Sequence, residues 1–278
     1  MPLSIRDTVA VAVRRAIDPI DQLLVLDPGR RGVAHFFRPG GARGAALALG
    51  RARRVLITTG FALGPGLPET DGPPGAAVLG RALRRLGARV RYVIDAATEP
   101  VLRAVLELAR RVLARLASTH LVAIERPGRS LDGAYRNAGG HPVGAWNRPL
   151  DALFLVPSRA TTVGVGDGGN EIGMGTIPRN ALRAAGVPPR IASVVPVDHL
   201  VVAGVSNWGA YGIVAHLGRL AGRNLLHSGV DEYRLIEACV RAGAVDGITR
   251  RREATVDGVS LAAHAGIVEL MNALGGRR

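Results

Sequence analysis

Between Gly166 and Gly175 the chain reads Gly-Asp-Gly-Gly-Asn-Glu-Ile-Gly-Met-Gly. Glycines after a strand let backbone N–H groups approach an anion, and a helix N-terminus that follows adds positive potential. Asp167, Asn170 and Glu171 are hard oxygen donors suited to Mg²⁺ or Mn²⁺. Asp167 and Glu171 are therefore candidate metal ligands and acid/base groups, with Gly168, Gly169 and Asn170 as substrate-binding candidates. A helix cap alone would need one polar residue at such a turn, not this cluster. A second cluster, Pro68-Glu-Thr-Asp-Gly-Pro-Pro-Gly75, sets Glu69 and Asp71 on a proline-stiffened loop, where a ligand geometry is held at low entropy cost. The third, Glu125-Arg-Pro-Gly-Arg129, offers Arg126 and Arg129 for paired hydrogen bonds to a carboxylate, beside Glu125. Thr59 and the pair Ser206-Asn207 complete the candidates, with Ser206 also readable as a helix cap. Asp198-His199 could serve as an acid/base pair or as buried structure. Asp246-Gly247 and Asp257-Gly258 read as turns. No serine sits in a nucleophile elbow.

These clusters need elements to carry them. Buried runs predict strands over Arg54–Thr59, Arg89–Ile94, His120–Ile124, Ala152–Val156 and Thr161–Val165, with later candidates at Ile191–Val195 and Leu200–Ala203. Helical spacing predicts Thr8–Ile17, Ala42–Arg53, Ala76–Leu86, Glu99–Ala117, Trp208–Leu220, Asp231–Arg241 and Leu261–Leu274. Loops are expected over Gly64–Gly75 and Glu125–Arg148. Strands alternating with helices imply an α/β fold: a mostly parallel sheet with helices on both faces. In such folds ligands gather at the carboxyl ends of the strands, where the polar clusters fall. With no repeat, linker or composition break, one domain over residues 1–278 is expected.

The 278 residues include 36 basic side chains, all arginine, and carry a net charge of +14. The arginines are scattered and not interleaved with aromatics, so nucleic acid is not the expected partner. A small anionic substrate is a better use of the positive field. Cys239 is the only cysteine, which excludes an intrachain disulfide and a cysteine-based zinc site and reads as a core residue. The glycine spacing is not a dinucleotide fingerprint, and without lysine there is no Walker A loop, so no nucleotide cofactor is expected. No apolar stretch reads as a signal core or a membrane span, so a cytoplasmic protein is the expectation.

Taken together the segments resemble the D-glutamate cyclase family. The resemblance rests on Asp27-Pro-Gly-x-Arg-Gly32, Leu56-Ile-Thr-Thr-Gly-Phe61, the Pro68–Ala76 and Ile124–Arg129 clusters, Asp132-Gly-x-Tyr135 and Gly166–Gly175. It continues with Asp198-His199, Val205-Ser-Asn-Trp-Gly-Ala210 and Ala242-Gly-Ala-Val-Asp-Gly247. Where relatives tend to carry Asn-Met-Arg-Gly after the tyrosine, this chain has Arg136-Asn-Ala-Gly-Gly140. The resemblance implies a hydro-lyase interconverting D-glutamate and 5-oxo-D-proline. On that reading Asp167 and Glu171 do metal or acid/base work, and Glu69 and Asp71 hold the ammonium or complete a metal shell. Glu125, Arg126 and Arg129 orient a carboxylate, with Asn170 and Asn207 hydrogen-bonding it. The implied partner is an amino dicarboxylate; a Mn²⁺ or Mg²⁺ cofactor and a homo-oligomer stay open. So do two other functions, a metal-dependent hydrolase of a phosphorylated or cyclic metabolite and a non-catalytic binder of a small anion.

Overall fold

The computed structural model describes residues 18–95 and 118–275. The helices expected over Thr8–Ile17 and Glu99–Ala117 lie outside them. Five strands, β1 (Arg54–Thr59), β2 (Arg89–Val93), β3 (His120–Ile124), β4 (Thr161–Gly166) and β5 (His199–Val202), form one sheet in the order β2-β1-β3-β4-β5. Every pairing is parallel. The protein is thus an α/β fold. The strand order reverses between β1 and β3, the switch point where ligands enter doubly wound sheets.

Side chains alternate across this sheet with the strand period of two. Val55, Ile57, Val122, Ile124, Val163, Val165 and Val201 enter the main core. Helices α1 (Pro19–Leu24), α2 (Gly41–Leu49), α3 (Pro73–Arg85), α6 (Ser206–Ala221), α7 (Gly229–Arg241) and α8 (Leu261–Gly275) pack their apolar residues into that core. The opposite face is covered by less regular chain. Leu56 and Leu121 meet Leu150 and Leu153 near the short helix α4 (Ala152–Leu155). Ala123, Leu200 and Val202 meet Val33, Phe36 and residues around α5 (Arg179–Ala184). A hairpin of β6 (Thr255–Val256) and β7 (Val259–Ser260) precedes α8. No described helix is long and apolar enough to cross a membrane.

Two expected strands are absent. Within Ala152–Val156 the chain forms the single-turn α4 instead, because a five-residue apolar run does not distinguish a strand from a buried helical turn. Ile191–Val195 is irregular chain that lies along the glycine-rich loop: Ser193 N–H donates to Gly169 O, and Val195 O accepts from both Gly173 and Gly175. A Cβ on Gly175 would sit 2.4 Å from the Val194 carbonyl carbon, so this glycine permits close chain contact. Helix α3 starts three residues earlier than expected, with Pro73 and Pro74 in its first turn, where a missing N–H costs nothing. Cys239 is half-buried on α7, and burial pushes its thiol up to about 11.

Candidate active site

The carboxyl ends of β1, β3, β4 and β5 bring the expected acids together. Glu69, Asp71, Glu125, Asp167 and Glu171 are all buried. One carboxylate oxygen from each of Asp71, Glu125 and Asp167 lies within 4.8 Å of the others. Asp257 joins them from the tip of the β6–β7 hairpin. The expected turn there is correct, since Asp257 and Gly258 both have positive φ, but the turn also delivers a carboxylate. Arg31 faces this acid group: Nη1 hydrogen-bonds Asp167, and Nη2 lies 2.8 Å from Asp257. The Asp27 carboxylate shapes the loop that presents Arg31, accepting from the N–H groups of Arg31, Gly32 and Val33.

Two helices cap each other at the floor of the site. Asp71, just before α3, accepts from Ser206 N–H and Asn207 N–H, both at 2.8 Å, and so caps α6. In return Asn207 Oδ1 accepts from Gly72 and Gly75 N–H at 3.1 and 2.8 Å and caps α3. Both helix N-termini therefore point positive potential toward the acids. Ser206 is not the cap of its own helix; its hydroxyl donates to Glu125 Oε2 at 2.6 Å. Glu125 has φ 43°, a left-handed backbone that L side chains seldom adopt. A Cβ on Gly72 would sit 2.8 Å from Glu125 Cβ and from Thr59 Oγ1, which keeps that position glycine.

The glycine loop binds an anion, and that anion is its own side chain. Glu171 Oε1 accepts from Gly168 N–H at 2.8 Å and Oε2 from Gly169 N–H at 2.9 Å. The loop leads into a 3-10 turn at Met174–Thr176 rather than an α-helix. Asn170 Nδ2 donates to Arg136 O at 2.9 Å. Arg126 and Arg129 are engaged elsewhere. Arg126 pairs with Asp95 and donates to Gly60 O and Arg148 O. Arg129 forms a two-armed pair with Asp151, which also accepts from Tyr135. Asp198 and His199 open β5 instead of following a strand, so they lie at the far end of the sheet. There Asp198 accepts from Thr162 N–H and Oγ1 at 2.8 Å.

The charge balance is unusual. Burial, reinforced by neighbouring carboxylates, pushes Glu69 and Glu125 well above the ordinary range. Burial raises Asp167 as well, against the opposing pull of Arg31. Asp71 is pushed up to about 7 by burial and by Asp257, although its two backbone donors work in the other direction. Asp167 Oδ2 and Glu69 Oε1 are buried without a hydrogen-bond partner. Such atoms normally find a donor or a cation. Hard oxygens, unpartnered and crowded around one guanidinium, fit a divalent cation such as Mn²⁺ or Mg²⁺.

Above the acids is a cavity of about 70 Å³, or about 400 Å³ with the space open to solvent counted. Arg31, Glu69, Glu125, Asn170, Glu171 and Arg250 are on its wall. The departure at Asn137, Ala138 and Gly139 also falls on this wall. A larger groove of about 870 Å³ is lined by Thr59, Phe61, Tyr92, Asp95 and Trp146 among others, and none of the six acids lines it. Arg31, Asp257 and Arg250 have no site role in the sequence reading. Arg31 lies in the Asp27–Gly32 motif and Asp257 was expected only as a turn residue, whereas nothing in the local sequence marks Arg250.

A family model described as D-glutamate cyclase-like, C-terminal, matches residues 20–272. The human mitochondrial D-glutamate cyclase is 35% identical over 243 residues, covering 75% of this chain and 39% of that protein. The chain thus spans well under half the length of that relative. Solved structures with a similar chain path include the exonuclease RecJ bound to manganese, at 15% identity and TM-score 0.40 over 72% of this chain and 42% of that one. Another is an exopolyphosphatase-related protein from Bacteroides fragilis, at 9% identity and TM-score 0.40 over 85% and 57%. Likenesses this distant carry no argument about chemistry.

Proposed function

Because the chain belongs to the D-glutamate cyclase-like C-terminal family, we propose that it interconverts D-glutamate and 5-oxo-D-proline. The observation that carries this reading is the group of buried acids with raised proton affinity at the base of a small polar cavity. The α-nitrogen bonds to the γ-carboxyl carbon, one C–O bond breaks, and the two protons lost by the ammonium leave with that oxygen as water. Groups that hold or release protons near neutrality suit both halves of this transfer. Glu69 and Glu125, shifted in that direction by burial, line the cavity. Buried carboxylates also stabilise an entering ammonium, while Arg31 supplies positive charge for the reacting carboxylate.

Asp71, Glu125 and Asp167 would hold a divalent cation. When bound, such an ion polarises the γ-carboxyl group and offsets the charge of the acids. Both oxygens of Glu171 accept loop amides, so its role on this reading is to fix the loop that carries Asp167.

The test is incubation with D-glutamate, L-glutamate and 5-oxo-D-proline, with and without Mn²⁺ or Mg²⁺, followed by chiral chromatography. Interconversion of the D-forms is expected. Asp167→Asn should lower turnover by at least about a thousandfold, with an unchanged circular dichroism spectrum. Normal turnover by that variant removes Asp167 from the chemistry. No conversion of either D-compound under any condition removes the reaction itself.

A further inference from the structure

We propose that Arg250 holds the α-carboxylate of the substrate, the group that survives in the product; this rests on the cyclisation reading. Arg250 lines the same cavity as Glu69, Glu125 and Glu171 and is itself exposed, so it stands where that cavity meets solvent. A five-carbon amino acid with its reacting end among the acids carries its second carboxylate several bonds away, within a space of about 400 Å³ counting the part open to solvent.

It differs from the other arginines of the site. The Arg31 guanidinium is held between Asp167 and Asp257, Arg126 is held by Asp95 and Arg129 by Asp151. Among the described residues Arg250 has no ion pair and no side-chain hydrogen bond. Of the three consecutive arginines Arg250, Arg251 and Arg252, it alone lines the cavity. Its direction is built in. Arg250 has φ 62°, and its N–H donates to Asp246 O at 3.0 Å. The buried Asp246 carboxylate fixes that turn by accepting from Ile248 and Thr249 N–H and from Thr255 Oγ1 and Gly258 N–H. A left-handed non-glycine residue persists where its surroundings over-determine it, as they do here.

A guanidinium that grips an unreacting carboxylate stabilises ground state, transition state and product alike. Arg250→Ala should therefore raise KM for D-glutamate about ten- to hundredfold, with kcat changed little. Calorimetric binding of 5-oxo-D-proline should weaken by the same factor. 2-Pyrrolidone, the same ring without its carboxylate, should bind wild type and variant equally. Arg250 is exposed, so the variant is expected to fold. Unchanged binding of 5-oxo-D-proline by Arg250→Ala, or an equal loss for 2-pyrrolidone, overturns the assignment while leaving the cyclase reading in place. If wild type neither binds 5-oxo-D-proline nor converts it, the cyclase reading falls and this assignment with it.

Discussion

Asp167 has no exposed surface, and its charge is answered among the described side chains by Arg31, whose other arm reaches Asp257. Removing one partner of a buried pair leaves the other uncompensated, at a cost of about 3 kcal/mol. In chelator-treated protein Arg31→Met should lose about that much stability at pH 8 by urea unfolding. It should lose much less at pH 5, where the orphaned acids take up protons. Equal losses at both pH values would show that Arg31 matters through packing instead. At this scale the sequence was informative about residue type and poor about pairing. Glu69, Asp71, Glu125, Asp167 and Glu171 were visible because carboxylates beside glycine and proline at strand ends are uncommon without a reason. Arg126 and Arg129 read as substrate ligands because a guanidinium can grip a carboxylate with two parallel hydrogen bonds. Their partners, Asp95 and Asp151, come from other loops, and a single sequence does not show which arginine an acid will meet.

Elements were legible where one face is enough to define them. β1 and β3 match their expected limits because each is a short buried run ending in a polar cluster. The strands of the β6–β7 hairpin leave no trace in the sequence beyond their turn, because two-residue strands have no periodicity to read. Its order depends on Asp246, whose proton affinity is lowered: burial alone would raise it, but the donors around it outweigh that effect. Asp246→Ala leaves several donors unanswered and should cost about 3 kcal/mol. Its specific signature is faster amide exchange over residues 246–260, with β3 and β4 still protected. Uniform loss of protection across the sheet would mean instead that the hairpin is integral to the core.

For the whole molecule, the sequence implied a parallel sheet but not its order, because strand order depends on which side each crossover passes. The observed order places β1 beside β3 and so makes one site from loops far apart in the chain. The concentration of acids there has a global consequence. Asp71 binds its proton near pH 7 rather than 3.8, and Glu69, Glu125 and Asp167 are shifted the same way. Between about pH 4 and 7 the folded state thus holds more protons than the unfolded chain, and stability falls as pH rises through that window. The melting temperature of chelator-treated protein should be lower at pH 8 than at pH 5, and Mn²⁺ should raise it most at pH 8. A flat profile would mean that the acids are solvated in the folded state. The mutual caps of α3 and α6 join Asp71 to Ser206, 135 residues away along the chain. Each cap joins segments that only the ordered strands between them bring together, so the caps are long-range contacts of the kind that slow folding. The same contacts that tie the two helices together hold Asp71 among the acids, so a chain that loses this tie loses the arrangement of its site with it.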